Sequence, residues 1–263
     1  MRIATIVQSY PPAISGASLM ARSLAEGMAR RGHNTLVLAA SDRRKPYRKI
    51  AGRLQIEFLR SQPNPLRARQ HFFSWWSPSV KRHLRAFRPQ VLHLHDPLTV
   101  GPAWLSANKE WGIPVAVTIH QLPWFVTTYL PDLPGFRQSV ERLLWRYGSW
   151  VDRRSQQMVT PTTTIADEIA EKAGFRPRVI GNGVNLDRFF PAAGHTDESR
   201  SLFRKYGLDP GRPVILHVGR LDLEKRVEVV LRAAAAAMRR SSSAASSLSR
   251  PSRKRRTWRT ASP

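Results

Sequence analysis

The chain has no cysteine, only 18 acidic residues against 43 lysines and arginines, and no uncharged apolar run of bilayer length. Without cysteine, neither a disulfide framework nor a zinc–thiolate site can form, which accords with a reducing, cytoplasmic setting. A membrane-crossing helix needs ~20 consecutive apolar residues, and none of the apolar stretches approaches that length. The residues from Met1 to Pro12 hold too short an apolar run for a signal peptide. The scarcity of acid gives a net charge of +25. Residues 239–263 hold eight of the basic residues and no acid, which leaves seventeen positive charges on the remainder. A field of that size favours anionic partners such as a nucleotide diphosphate, an acidic membrane face or nucleic acid, and is silent on fold.

What is present is a globular pattern, with 41% hydrophobic residues over 263 positions. Apolar runs of strand length occur at 3–7, 35–39, 54–59, 91–94, 115–119, 158–160 and 179–180. The first, second, fourth and fifth are nearly continuous, the mark of strands buried on both faces. Helical periodicity fills the gaps. Residues 18–31 place Leu19, Ala21, Leu24, Ala25 and Met28 on one stripe, with Ser18 as N-cap and Gly32 as the stop. Ser77 and Pro78 open a helix at 80–87, and further helices read at 142–151 and 165–172. Strands alternating with helices predict an α/β fold, a doubly wound parallel sheet. Residues 1–183 form this first domain, 184–213 read as a linker, and 214–238 restart the pattern as one strand–helix unit, a second domain that is incomplete. From residue 239 the sequence turns to Arg, Ser, Ala and Pro. It reads as a disordered basic tail, either a frame-shift product or a native end.

Several polar residues stand where chemistry is expected in such a fold. The loop from Tyr10 to Ser18 joins the first strand to a helix N-terminus, whose free N–H groups and dipole suit a phosphate, and Gly16 would admit the closest approach. Taken alone, the loop is better read as an ordinary turn between strand and helix. His93, His95 and Asp96 close the fourth strand, and His120 with Trp124 close the fifth, at the carboxyl ends where α/β proteins bind ligands. His93 and His95 point to one face, an arrangement a metal could use. No third distant ligand stands out, so no metal is expected and a polar substrate contact is the better reading of His95, Asp96 and Trp124. Gly219, Arg220 and Lys225 flank a turn from strand to helix, where an anionic group would meet two cations. A helix at 76–88 places Trp76, Val80, Leu84 and Phe87 on one face and Lys81, Arg82, Arg85 and Arg88 off it. It suits either an anionic membrane surface or a core helix with a solvated basic back.

Taken together, these segments resemble the family 4 retaining glycosyltransferases, which have two facing Rossmann-like domains, the GT-B arrangement. The resemblance runs over residues 1–236. Its pieces are Pro11 and Pro12 with Ser15 and Gly16, the strand 91–95, Thr118 to His120, Pro161 to Ile165, the hinge from Val179 to Pro191, and Val218 to Lys225. It implies that Gly16 admits the donor diphosphate, that His120 contacts the donor sugar as the catalytic residue, and that Arg220 and Lys225 neutralise the leaving diphosphate. It implies no cofactor beyond a nucleotide-sugar co-substrate, and a lipid or saccharide acceptor. Two departures stand out. Ala17 replaces the second of two glycines common in the loop, and the family's later pair of glutamates has no counterpart, since Glu228 is the one carboxylate after Lys225. The chain therefore reads as a glycosyltransferase cut short in its donor domain and inactive by itself, cytoplasmic and peripheral at an inner membrane face. The alternative is a non-catalytic basic protein that contacts nucleic acid or an anionic membrane. Nucleic acid is disfavoured because no helix-turn-helix, RNP or zinc spacing is present. An epimerase or dehydrogenase is disfavoured because GxGxxG and Tyr-x-x-x-Lys are absent.

Overall fold

The structure is a computed structural model that describes residues 1–64, 71–72, 78–95, 108, 111–187, 189, 196–209, 211, 214–219, 221 and 223–248. It divides into two compact units, Met1–Phe189 and Phe190–Pro263.

The first unit is built on an eight-stranded sheet. Its strands are β1 (Arg2–Val7), β2 (Asn34–Ala40), β3 (Tyr47–Ala51), β4 (Leu54–Leu59), β7 (Val91–His95), β8 (Val115–Thr118), β9 (Gln157–Thr160) and β10 (Arg178–Val179). A separate two-stranded piece pairs β5 (Gln62–Pro63) with β6 (His71–Phe72). The order across the large sheet is β10-β9-β8-β7-β1-β2-β4-β3. Every pairing is parallel except β3 with β4. The chain winds outward from β1 to β2 and β4, then returns to β7 on the other flank and continues to β8, β9 and β10. The order thus reverses between β1 and β7, the topological switch point of an open α/β sheet.

Strand alternation divides the core. Ala4 and Ile6 of β1, Leu36 and Leu38 of β2, Leu92 and Leu94 of β7, and Val115 and Val117 of β8 share one cluster. Val80 and Leu84 of α2 (Pro78–Phe87) and Val151 of α4 (Phe136–Asp152) close over it. On the other face Val7, Val37, Ala39, Leu54, Ile56 and Phe58 meet Ala21 and Ala25 of α1 (Gly16–Arg30). A third cluster joins Leu122 and Trp145 to Ile169 of α5 (Thr163–Ala173), with α3 (Pro123–Thr127) between β8 and α4.

Several expected boundaries change. The N-cap of α1 is Ser15, not Ser18. Ser18 is the third helical residue, and the two serines form a capping box in which Ser18 N donates to Ser15 Oγ at 3.1 Å and Ser15 N donates to Ser18 Oγ at 2.8 Å. A serine can act from either position, and this pairing satisfies two helix-end N–H groups instead of one. Gly32 does adopt the left-handed conformation expected after the helix, with φ 87°. The helix expected at 142 begins at Phe136. The apolar face of α2 is spent on the core through Val80 and Leu84, which leaves Arg82, Arg85 and Arg88 as an exposed basic back. Trp76 lies outside the described residues.

The second unit holds α6 (Asp197–Lys205), a 3-10 turn (Leu223–Lys225) and α7 (Val227–Leu248). Residues 214–218 form no strand. A strand is stable only when its N–H and C=O groups are paired, and a single strand–helix unit supplies no partner. Ile215, Leu216 and Val218 are accordingly 63%, 80% and 85% exposed. The tail also departs from expectation at its start, for α7 runs ten residues past 238 to Leu248. Alanine, serine and arginine tolerate a helix. Residues 249–263 lie outside the described residues.

Candidate functional site

Alternation on β7 sends Leu92 and Leu94 into the core and His93 and His95 to the opposite face. Parallel register sets His93 beside Thr5 of β1 and Ala116 of β8, and His95 beside Thr118. A polar strip of Thr5, His93, His95 and Thr118 therefore crosses the middle of the sheet. Two like contacts join its strands. Nε2 of His93 and Oγ1 of Thr118 lie 2.8 Å apart, and Nδ1 of His95 and Nε2 of His120 lie 2.9 Å apart. Each histidine thus meets the residue two positions beyond its register partner. The His95 and His120 rings stack with centroids 5.2 Å apart, and His93 and His95 are tilted at 4.3 Å.

Burial dominates the electrostatics of the strip. It pushes the His93 imidazole down to about 4, with the neighbouring His120 adding to the effect. His95 is 1% exposed, and burial, then His93 and His120, holds its pKa well below the usual histidine value. Both rings are neutral at pH 7, since a cation here would be desolvated without a carboxylate to balance it.

Beside this pair, the loop after β1 ends at the N-terminus of α1. Gly16 is exposed, and a Cβ there would meet nothing within 4 Å. The first turn of α1 carries no acidic residue, so its positive dipole end is uncompensated. Ala17 lies within α1 and has no positive φ, so replacing a glycine there costs nothing in backbone strain. The Pro11–Pro12 peptide bond is cis. Four buried side-chain polar atoms lack a hydrogen-bond partner among the described residues: Gln8 Oε1, Tyr10 Oη, Thr35 Oγ1 and His95 Nε2. Three of them belong to the carboxyl end of β1 and β7, and the fourth starts β2 at the other end. Buried polar groups are nearly always paired, which singles out His95 Nε2 beside His120, whereas Tyr10 packs against Phe58 in the cluster under α1. Gln8 was not foreseen. Its Nε2 donates to the His71 carbonyl at 2.8 Å, which aims the amide. A polar residue directly after the apolar run of β1 was the available signal.

The structure thus brings His95 and His120 into contact and sets Gly16 at the carboxyl end of the adjacent strand β1. Trp124, 45% exposed, stands on α3 just beyond His120 and meets Phe125 edge-on at 6.2 Å. Asp96 and Arg220 lie outside the described residues. Lys225 belongs to the second unit, exposed at the end of the 3-10 turn. A Cβ on Gly219 would come within 3.9 Å of Lys225 Cγ and 3.2 Å of the His217 ring, so this turn closes on itself. Among the described residues, no group of three or more His, Asp or Glu is placed to hold a metal ion. An apolar cavity of about 50 Å³ lies next to His120 in the chain, lined by Ile119, Leu122, Trp145, Tyr147 and Ile169. It has room for a few water-sized groups and not for a sugar ring.

The sequence model of glycosyltransferase family 4 matches residues 14–188, well over half of the chain. The chain belongs to glycosyltransferase family 4. It is 27% identical over 236 residues to the GDP-mannose-dependent alpha-mannosyltransferase of Mycobacterium tuberculosis, covering 87% of this chain and 58% of that protein. To the alpha-monoglucosyldiacylglycerol synthase of Acholeplasma laidlawii it is 24% identical over 240 residues, covering 89% of this chain and 59% of the other. Among solved structures, the sucrose-phosphate synthase of Thermosynechococcus elongatus superposes with a TM-score of 0.66 at 18% identity, over 89% of this chain and 59% of that one. This family 4 chain therefore spans about three fifths of the length of these relatives, and the structural likeness supports the Rossmann-like fold of GT-B type.

Proposed function

We propose that this chain carries the acceptor-side half, and the opening of the donor side, of a site that moves a sugar from a nucleotide-sugar to an acceptor with retention of configuration. The observation that carries this reading is the His95–His120 pair at the carboxyl ends of β7 and β8, beside the switch point and the bare N-terminus of α1. In the proposed site His120 contacts the transferred sugar, while His95, Asp96 and Trp124 line the substrate side. Gly16 admits the diphosphate to the N–H groups of α1. Breaking the sugar–phosphate bond builds negative charge on the leaving diphosphate, and Arg220 and Lys225 are the cations that would stabilise it. The similarity to proteins named as a GDP-mannose-dependent mannosyltransferase and a glucosyldiacylglycerol synthase supports a nucleotide-sugar donor and a lipid or saccharide acceptor. For the lipid case, the exposed basic back of α2 supports peripheral contact with an anionic membrane from the cytoplasm. No helix among the described residues is long and apolar enough to cross a membrane.

Saturation-transfer NMR with a panel of nucleotide-sugars and the matching free nucleoside diphosphates tests this. The sugar protons of at least one donor should receive saturation from the chain, and His120→Ala should abolish that transfer while leaving the nucleotide signal. A chain that saturates none of the panel, or a sugar signal unchanged by His120→Ala, would overturn the proposal.

A further inference from the structure

We propose that His95 is a positioning residue: it donates its Nδ1 proton to Nε2 of His120 and so holds His120 as the tautomer protonated on Nδ1. The inference rests on the reading of His120 as a sugar contact and adds to it the hydrogen-bonding character that His120 presents.

The geometry leaves two arrangements. Nδ1 of His95 and Nε2 of His120 are 2.9 Å apart, so one of the two nitrogens carries the shared proton. A neutral imidazole has one N–H and one lone pair, and whichever nitrogen bonds its neighbour fixes the role of the other. His95 is neutral, because the ring is 1% exposed and no carboxylate among the causes acting on it offsets burial. If His120 donated through Nε2, the His95 proton would sit on Nε2. That atom is buried and has no hydrogen-bond partner among the described residues. An orphaned buried N–H is rarer than an orphaned acceptor. With the proton on His95 Nδ1, the atom left unpaired is instead a lone pair, and the shared bond is satisfied.

The consequence passes to His120. Its Nε2 accepts from His95, so its own proton lies on Nδ1. Toward a ligand at Nδ1, His120 then acts as a hydrogen-bond donor that recognises an oxygen lone pair, such as that of a sugar hydroxyl, and not as a base that removes a proton. The second contact of the same register, His93 Nε2 with Thr118 Oγ1 at 2.8 Å, anchors the His93 ring, whose centroid lies 4.3 Å from that of His95.

Long-range 1H–15N correlation spectra of the [15N]histidine-labelled chain at pH 7.5 read the tautomers without any substrate. His95 and His120 should both show the Nδ1–H pattern, with His120→Ala and His95→Asn supplying assignments. In His95→Asn the side-chain amide offers an N–H near the former Nδ1, and His120 should keep its Nδ1–H signal. In His95→Phe that donor is gone, and His120 should lose the Nδ1–H pattern for Nε2–H. An Nε2–H pattern on His95 in the unmodified chain overturns the proposal, whether or not the variants fold. So does an Nδ1–H pattern on His120 that persists in a folded His95→Phe chain. The spectra and the nucleotide-sugar experiment can fail separately: the expected tautomers with no sugar contact would sink the functional reading and leave the pair as inferred.

Discussion

Gly16 and His120 illustrate what single positions in this chain disclose. Gly16 has an ordinary φ and open space around its absent Cβ, so neither backbone strain nor packing requires glycine there. His95 and His120 were each legible as polar groups ending apolar strands. Their contact was not, because it depends on the register of β7 against β8, which no local pattern states. Burial of the strip also has a thermodynamic signature. In the unfolded chain a histidine takes up a proton near pH 6.5, whereas His93 resists protonation until about pH 4 and His95 is shifted the same way. Between those values the unfolded state holds more protons, so stability must fall as pH falls through that window, by up to about 1.4 kcal/mol per pH unit for each histidine. Urea midpoints at pH 7.5, 6 and 5 should decline steadily, and His93→Gln should flatten the decline. A midpoint that is flat from pH 7.5 to 5 would show that these rings are not buried as described.

At the scale of elements, the strands buried on both faces were legible because continuous apolar runs have few other uses. The β3 strand was not. Its residues Arg48, Lys49 and Ile50 are exposed, and it is held by Tyr47 stacked at 4.2 Å on Phe58 and by an ion pair from Arg48 to the buried Glu57. A charged edge strand discourages pairing with other chains, and it hides the strand from any search for hydrophobicity. The two-residue turn at Gly52 and Arg53, with Gly52 at φ 57°, was the readable signal for the hairpin. The start of α1 was misread by three residues because its two serines are both capable of capping. The capping box makes a definite demand: Ser18, 0% exposed, is as necessary as Ser15. Replacing either by alanine should cost about 1 kcal/mol, and the double replacement should cost less than the sum because the two act as one unit. Thermal or urea unfolding of the three variants measures this, and an unaffected Ser18→Ala would show that Ser15 caps alone.

At the scale of the whole molecule, the apolar core belongs to one part of the chain. Every buried hydrophobic residue identified among the described residues lies between Ala4 and Ile169, inside the unit that ends at Phe189. The second unit exposes Leu208, Ile215, Leu216, Val218, Leu221, Leu223 and Leu231. Its restart of the strand pattern was legible as a pattern and misleading as structure, since hydrophobicity shows what a segment would bury and pairing decides whether it becomes a strand. Exposed apolar side chains in this number favour association between chains. Residues 1–189 alone should therefore unfold cooperatively, with a urea midpoint matching that of the main transition of the full chain. They should also remain clear by light scattering at concentrations where the full chain associates. The unfolding transition tests whether the sheet and its three clusters are sufficient for folding, and the scattering tests whether the exposed apolar residues of the second unit bring chains together. A shortened chain that loses its cooperative transition would show that the core requires residues beyond 189. Equal scattering from the two chains would show that the exposed leucines and valines are not what brings chains together.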